Sequence, residues 1–283
     1  MNRRLPMNHD GGLAEGLSHE QKFVKWLGDL LEDRQVSLVE TFVSIQGEGE
    51  RLGARSMFIR TSQCNLRCSW CDTKYSFDPK PGAKHGVPEG HYIASIEEIV
   101  EEIKESRVTH VVLTGGEPTV QPHFGALVEA IRKLKVHITV ESNGTISPDV
   151  DLRDVDLWSI APKLNDGSNM TYDAQVMKDY LDHYMAYGGV QIKWVSTTEQ
   201  DLEEAFSIMH TWTQFHHILP PVWFHPNGMV PDEEYAAGCK DLAEMVLHRL
   251  AQDDEAIQHL QDICDVKVGL QYHRLMWGHN LGT

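Results

Sequence analysis

The sequence predicts an α/β protein built on a mostly parallel sheet, either open or closed into a partial or complete barrel. Three observations predict it. Strand-like runs alternate with amphipathic helical stretches from about residue 36 to residue 269, as in chains of βα units. One of those runs, residues 108–113, looks like a strand buried on both faces. Polar or Gly-rich segments follow several of the strands, namely 114–118, 142–144 and 162–163, where folds of this class bind ligands.

In chain order, residues 1–17 read as a leader rich in Gly, Asn and Arg. Ser18 and Gln21 form a capping box, and Phe23, Leu27, Leu30 and Leu31 then share one helical face, giving a helix of about 15 residues. With Trp26, this face is expected to pack on the protein's own sheet. Residues 1–35 are therefore an extension with one amphipathic helix, and 36–283 form the core domain. Strands are expected at 36–45, 56–61, 108–113, 136–141, 157–161, 190–195, 216–219 and 266–269. Helices are expected at 95–106, 122–134, 173–186, 198–212 and 231–262, the last broken near Asp253. Residues 78–91, with Pro79, Pro81, Gly82, Gly86, Pro88 and Gly90, read as a loop.

Composition narrows the function. The chain has 283 residues, with 25 basic and 42 acidic side chains and a formal charge of -17. Such a surface repels phosphate backbones, and no Lys/Arg cluster offsets it, so nucleic acid is not an expected partner. No apolar run reaches the roughly 18 to 20 residues that span a bilayer, and the first residues lack the apolar stretch of a signal peptide. A cytoplasmic protein without membrane contact is expected. Of the five cysteines, Cys64, Cys68 and Cys71 crowd together while Cys239 and Cys264 stand apart. A thiolate-bound metal in a reducing compartment fits this better than a disulfide framework.

The triplet Cys64-x3-Cys68-x2-Cys71 carries the strongest chemical signal. Three thiolates hold three irons of a four-iron, four-sulfur cluster and leave the fourth iron open to a ligand. A structural zinc would require a fourth protein ligand, for which Asp72 or His85 are the candidates. The Thr114-Gly115-Gly116-Glu117-Pro118 turn lets backbone approach a ligand closely and places a carboxylate at a strand end. Taken alone, it is also an ordinary strand-to-helix turn. The 16 histidines are scattered, and His216, His217 and His225 give no metal signal.

Together the segments 44–49 (SIQGEG), 58–60 (FIR), 64–73 (CNLRCSWCDT) and 113–118 (LTGGEP) resemble those of the 7-carboxy-7-deazaguanine synthases, within the radical S-adenosylmethionine (SAM) superfamily. The resemblance covers residues 37–273, closely in its first half and loosely in its second. It implies the partial (βα) barrel of that superfamily, carrying the N-terminal helical extension. It implies a 4Fe-4S cluster on Cys64, Cys68 and Cys71, with SAM chelating the open iron and split by one electron into methionine and a 5'-deoxyadenosyl radical. SAM would be met by Trp70, Asp72, Gly116, Glu117, Ser142, Asn143, Ala161, Pro162 and Lys163. Ala161 stands where the family often has serine, so only a backbone contact carries over there. Thr73 matches the family's magnesium ligand, although alone it reads as a turn residue.

The resemblance also implies substrate contacts from Ile45, Gln46, Gly47, Glu48, Arg60 and Thr114, with Arg60 as the clamp on a carboxylate. Gln271 and His273 match a Gln-Thr-His-Lys segment of the family, from which Tyr272 and Arg274 depart. The implied reaction converts 6-carboxy-5,6,7,8-tetrahydropterin to 7-carboxy-7-deazaguanine with loss of ammonia, a carbon–nitrogen lyase step toward queuosine and other deazapurines. An external one-electron reductant such as flavodoxin or ferredoxin and a homodimer are implied as well. The alternative is a radical-generating activase of an anaerobic glycyl-radical enzyme, which shares the cysteine spacing but leaves Gln46, Arg60 and Thr73 unexplained.

Overall fold

A computed structural model describes residues 31–77, 91–164 and 173–278. The helix expected from Ser18, most of the loop expected at 78–91, including His85, and the last five residues lie outside them. Among the described residues nine strands form one open sheet in the order β3-β1-β2-β4-β5-β6-β7-β8-β9. They are β1 (Gln35–Ile45), β2 (Arg55–Thr61), β3 (Tyr92–Ser95), β4 (His110–Gly115), β5 (His137–Ser142), β6 (Leu157–Ile160), β7 (Val190–Val195), β8 (Val222–His225) and β9 (Val266–Val268). β1 runs antiparallel to both β2 and β3, and every neighbouring pair from β2 through β4 to β9 is parallel. The sheet is thus the partial barrel expected of the sequence, and it does not close.

The α-helices are α1 (Ile96–Ser106), α2 (Phe124–Arg132), α3 (Ala174–Tyr187), α4 (Glu199–Trp212), α5 (Asp232–Leu250), α6 (Glu255–Ile263) and α7 (Tyr272–Trp277). Local chemistry sets their starts. Ser95 and Glu98 close a reciprocal capping box on α1, and Thr198 and Asp201 close one on α4. Asp254 accepts from the backbone N–H groups of Ala256 and Ile257 and so starts α6, which is why the long helical stretch breaks beside Asp253.

Two strands depart from expectation. Residues 216–219 are not a strand; the ladder begins after Pro220 and Pro221, at Val222. Proline has no N–H to give a sheet, whereas Val222, Trp223 and Phe224 supply both ladder bonds and bulk. β3, within the stretch between loop and helix, pairs on the outer edge of β1.

The pleat sorts the strand side chains. Ile59, Val111, Leu113, Ile138, Val140, Trp158, Ile160, Ile192, Trp194, Val222 and Phe224 join the main apolar core with residues of the helices. Their alternates along the same strands include His110, Thr114, Thr139, Glu141, Ser159, Gln191, Lys193 and His225, all polar. Buried polar groups are costly unless bonded, and low on this inner face the bonds are present. His110 sits 2.7 Å by Nδ1 from Ser56 Oγ and 2.8 Å by Nε2 from Thr139 Oγ1. Gln191 donates to Ser159 Oγ at 2.8 Å and accepts from the Glu50 N–H at 2.9 Å.

Burial, reinforced by His137 and Arg51, pushes His110 down to about 3. An unfolded histidine takes up its proton near pH 6.5, so below that the unfolded chain binds a proton that the folded one refuses. Stability should therefore fall as pH drops from about 6.5 toward 3 and be insensitive to this group above that window. Chemical unfolding measured between pH 7 and 5 should show a shallower loss in His110→Asn than in the unmutated protein. An equal slope would show that His110 is already protonated in the fold.

Candidate active site

The carboxyl ends of β4 to β8, the turn after β1 and the loop after β2 surround one cavity of about 290 Å³. The loop after β2 carries the cysteines. Cys64, Cys68 and Cys71 all line the cavity, and no disulfide involves any of the five cysteines. The loop is held by its own polar groups: Asn65 donates to Thr145 Oγ1 at 2.8 Å and accepts from Asn143 Nδ2 at 3.0 Å. Arg67 closes the loop from below, bonding the carbonyls of Cys64 and Leu66 at 2.6 and 2.7 Å and lying 4.5 Å over the Phe77 ring. Across the cavity mouth Lys163 Nζ stands 5.2 Å above the Trp70 ring.

The turn after β4 is built for close approach. Gly115 has φ +129°, and a Cβ there would collide with the backbone of Thr61. A Cβ on Gly116 would strike the Gln63 carbonyl. No side chain fits at either position, so cavity-facing backbone remains exposed to a ligand. Glu117 behaves differently from expectation. It does not line the cavity but is buried behind it. Its Oε1 accepts from Thr119 N, Thr119 Oγ1 and Ser142 Oγ at 3.1, 2.7 and 2.9 Å, and Oε2 accepts from Asn143 N at 2.7 Å. Burial pushes its carboxyl up, against the pull of these donors. The side chain joins the β4 turn to the β5 turn.

The far wall is a charged network. Lys193 Nζ lies 2.6 Å from Glu48 Oε2 and 3.6 Å from Glu141 Oε1. Glu141 also accepts from Gln46 Nε2 at 3.2 Å and from Thr114 Oγ1 at 2.9 Å. Burial alone would raise the Glu48 carboxyl, but the Lys193 ammonium, with His225 and His273, holds it well below the carboxylate range. Burial likewise would lower Lys193, yet Glu141 and Glu48 keep it raised. His225, at the end of β8, is pushed down to about 4 by burial, with Lys193 adding to the effect. On the near wall Arg60 Nε bonds Glu40 Oε1 at 2.8 Å, and its guanidinium lies between the rings of Phe42 and Tyr75, 5.6 and 5.9 Å from their centroids.

The C-terminal segment completes the enclosure. Tyr272 N donates to the Gly47 carbonyl at 2.9 Å, and Gln271 N donates to Tyr235 Oη at 2.7 Å. Arg274 anchors α7 by bonds to Asp232 Oδ1 at 2.7 Å and to the Val230 carbonyl at 2.8 Å. Gln271 and His273 thereby reach the cavity. Of the residues singled out in the sequence, all line the cavity except Glu117 and Pro162. Sequence reasoning missed Glu141, Lys193, His225 and Tyr75 as lining residues. Glu141 and Lys193 lie near the carboxyl ends of expected strands, a signal that would have found them.

Residues 58–161 match the radical SAM superfamily model. A 7-carboxy-7-deazaguanine synthase of Hyperthermus butylicus is 36% identical over 172 residues, covering 59% of this chain and 68% of that protein. The chain belongs to the 7-carboxy-7-deazaguanine synthase family. Its match to the Rhodopirellula baltica synthase, 43% identical over 125 residues, spans only 44% of that relative's length. The Bacillus subtilis synthase aligns over 85% of this chain at 27% identity. Among solved structures, QueE from Escherichia coli shares the fold, with a TM-score of 0.62 at 19% identity over 90% of this chain and 99% of that one.

As a radical SAM protein the synthase-family chain implies a 4Fe-4S cluster and SAM, and its residues fit them. Among the described residues no three His, Cys, Asp or Glu side chains converge closely enough for a single metal ion. The three thiols nonetheless face one space, as the separate corners of an iron–sulfur cube require. The Gly115–Gly116 backbone lies against the root of the cysteine loop and lines the same space as the thiols.

Because Glu117 bonds four donors and is buried, Glu117→Ala should destabilise the protein by at least about 3 kcal/mol, leaving those donors unmet. Denaturant unfolding reads this, with the exposed Glu129→Ala as a near-neutral reference. A cost below about 1 kcal/mol would mean that water replaces the carboxylate.

Proposed function

We propose that this chain converts 6-carboxy-5,6,7,8-tetrahydropterin to 7-carboxy-7-deazaguanine and ammonia. The observation that carries the reading is that one cavity is lined both by the three thiols and by a donor–acceptor wall of Gln46, Glu48, Thr114 and Glu141. Cys64, Cys68 and Cys71 would hold the cluster, and when loaded, cluster and SAM supply a carbon radical able to take hydrogen from the substrate. The protein's own residues do the rest. Gly116, Ser142, Asn143, Ala161 and Lys163 would seat SAM, with Trp70 and Asp72 beside the cysteines. Arg60 would clamp the substrate carboxylate through its terminal nitrogens, since Nε is already spent on Glu40. Gln46, Glu48, Thr114, Gln271 and His273 would take the pterin edges.

A cavity of about 290 Å³ with one donor–acceptor wall suits a heterocycle better than the protein substrate of a radical-generating activase, so that alternative is not favoured. An external one-electron reductant such as flavodoxin or ferredoxin, and a cytoplasmic location, belong to this reading. No helix among the described residues is long and apolar enough to cross a membrane. The homodimer belongs to it too: α7 exposes Tyr272, Leu275 and Met276 as apolar surface for a second copy.

Anaerobically reconstituted protein, given SAM, reductant and the carboxypterin, should form the deazaguanine, whereas Cys64→Ala should bind less iron and cleave no SAM. SAM cleavage without pterin turnover would reject the substrate; iron retained at four per chain in Cys64→Ala would reject the ligand set.

Thr73 is the magnesium ligand in this reading. Thr73 Oγ1 lies 3.5 Å from Cys71 Sγ at the cavity wall. One neutral hydroxyl binds a hard cation too weakly to hold it alone, so a substrate carboxylate and waters would complete the shell. Magnesium should therefore raise turnover of the unmutated protein and of Thr73→Ser, and stimulate Thr73→Ala far less. An undiminished response in Thr73→Ala, read by steady-state kinetics, would make Thr73 a turn residue only.

A further inference from the structure

The cavity contains a buried ammonium that the proposed function does not use. Lys193 is 8% exposed and sits between two carboxylates, 2.6 Å from Glu48 and 3.6 Å from Glu141. Two carboxylates against one ammonium leave a net negative wall, and the neighbouring imidazole of His225 does not balance it. Both His225 ring nitrogens are buried with no hydrogen-bond partner among the described residues, and burial keeps that ring neutral at ordinary pH. Every group on Glu141 is a donor: Gln46 Nε2, Thr114 Oγ1 and Lys193 Nζ. On Glu48 the ammonium occupies Oε2, and Oε1 accepts no hydrogen bond among the described residues.

A carboxylate offers acceptors only, so such a wall complements a ligand edge made of N–H donors. Without Lys193 the two carboxylates would face each other uncompensated, and like charges in a buried site drive one of them to take a proton. A protonated carboxyl becomes a donor and repels the edge that the pair would otherwise accept. We propose that Lys193 is a specificity-determining residue: hydrogen-bonded to Glu48 and ion-paired with Glu141, it fixes both as acceptors and so selects a heterocycle with adjacent N–H donors, a 2-amino-4-oxopyrimidine, over its 2-oxo counterpart. This rests on the proposed function and adds to it the group that sets the choice of ring edge.

The test uses cluster-loaded protein with SAM and two fluorescent probes that cannot turn over, 6-carboxypterin and its 2-oxo analogue 6-carboxylumazine. The unmutated protein should bind the pterin about tenfold or more tightly than the lumazine, because the lumazine turns an acceptor toward buried acceptors. Lys193→Met should bring the ratio of the two dissociation constants close to one, and Lys193→Arg should restore most of it. An undiminished ratio in Lys193→Met overturns the inference while leaving the proposed function intact. Failure of the unmutated protein to bind either probe overturns the proposed function and the inference with it. Circular dichroism verifies folding of each variant. If Lys193→Met does not fold, Glu48→Gln takes its place, because it swaps one acceptor for an amide while Lys193 keeps Glu141. An unchanged ratio there counts equally against the proposal.

Discussion

The pleat of the parallel sheet is the constraint on which the rest of the molecule depends. Successive side chains must point to opposite faces, so one set of alternates on β2 and β4 to β8 packs under helices and the other set turns inward. The helix-facing set is almost wholly apolar and contains the largest buried side chains, among them Trp158, Trp194 and Phe224. Burial of apolar side chains is worth about 1.5–3 kcal/mol each for residues of Val to Phe size. That margin lets the inner set be polar. Low on the sheet His110 is satisfied by Ser56 and Thr139, while the Nδ1 of neighbouring His137 is buried without a partner among the described residues. Around the cavity Thr114, Glu141 and Lys193 are bonded to one another or to Gln46 and Glu48, whereas Gln271 Oε1 and both nitrogens of His225 are buried and unbonded among the described residues. Those two residues line the cavity, where a ligand can meet groups that the protein leaves unbonded.

Two close approaches carry this layout into the loops. Gly115 and Gly116 let the β4 turn lie against the backbone after β2, with Gly116 N bonded to the Thr61 carbonyl at 3.0 Å and Glu117 N to the Gln63 carbonyl at 2.8 Å. The cysteine loop, which starts at Cys64, is thereby tied to the sheet at its root, and Asn65 ties it again to the β5 turn. At the other end of the cavity Gly49, with φ +64°, leaves space that the Gln191 amide fills. A Cβ there would displace the amide that bridges Ser159 to the β1 turn. The turn bearing Gln46 and Glu48 is positioned by the strand it faces.

What was legible in the sequence was local. Cys64, Cys68 and Cys71 sit within one loop, and Gly115 and Gly116 within one turn, so spacing alone exposes them. Capping boxes likewise announce α1 and α4. Long-range pairs were not legible: Lys193 and Glu48 are 145 residues apart, and only the sheet order brings them together. His225 was passed over for a related reason. With the strand expected at 216–219, it fell in unassigned chain; once the strand begins after the two prolines, it stands at the strand end, where a ligand-facing residue belongs. Glu117 shows what a motif leaves open. Its place in the Gly-Gly-Glu-Pro turn suggested contact with a ligand, whereas its two oxygens are taken by Thr119, Ser142 and Asn143. A motif fixes which residue stands at a turn, and the neighbouring strand fixes which way its side chain is used.

The electrostatics of the cavity follow from the same packing. On a chain of formal charge -17, an anionic ligand gains little from the surface and must find cations inside. Four Lys or Arg side chains line the space, Arg60, Lys163, Lys193 and Arg274, and Arg274 is paired with Asp232. Lys193 is committed to Glu48 and Glu141, and Arg60 gives one nitrogen to Glu40. Lys163 has no ion pair among the described residues and rests on the face of Trp70, next to Cys71. A cation–π contact holds an ammonium in place for about 0.5–1 kcal/mol at an exposed site without neutralising it. Of the four, then, Lys163 is the cation that can meet a carboxylate beside the cysteines without first breaking an ion pair among the described residues. Arg60 can do so only through the part of its fork that Glu40 leaves open, which restricts it to a ligand approaching from one side.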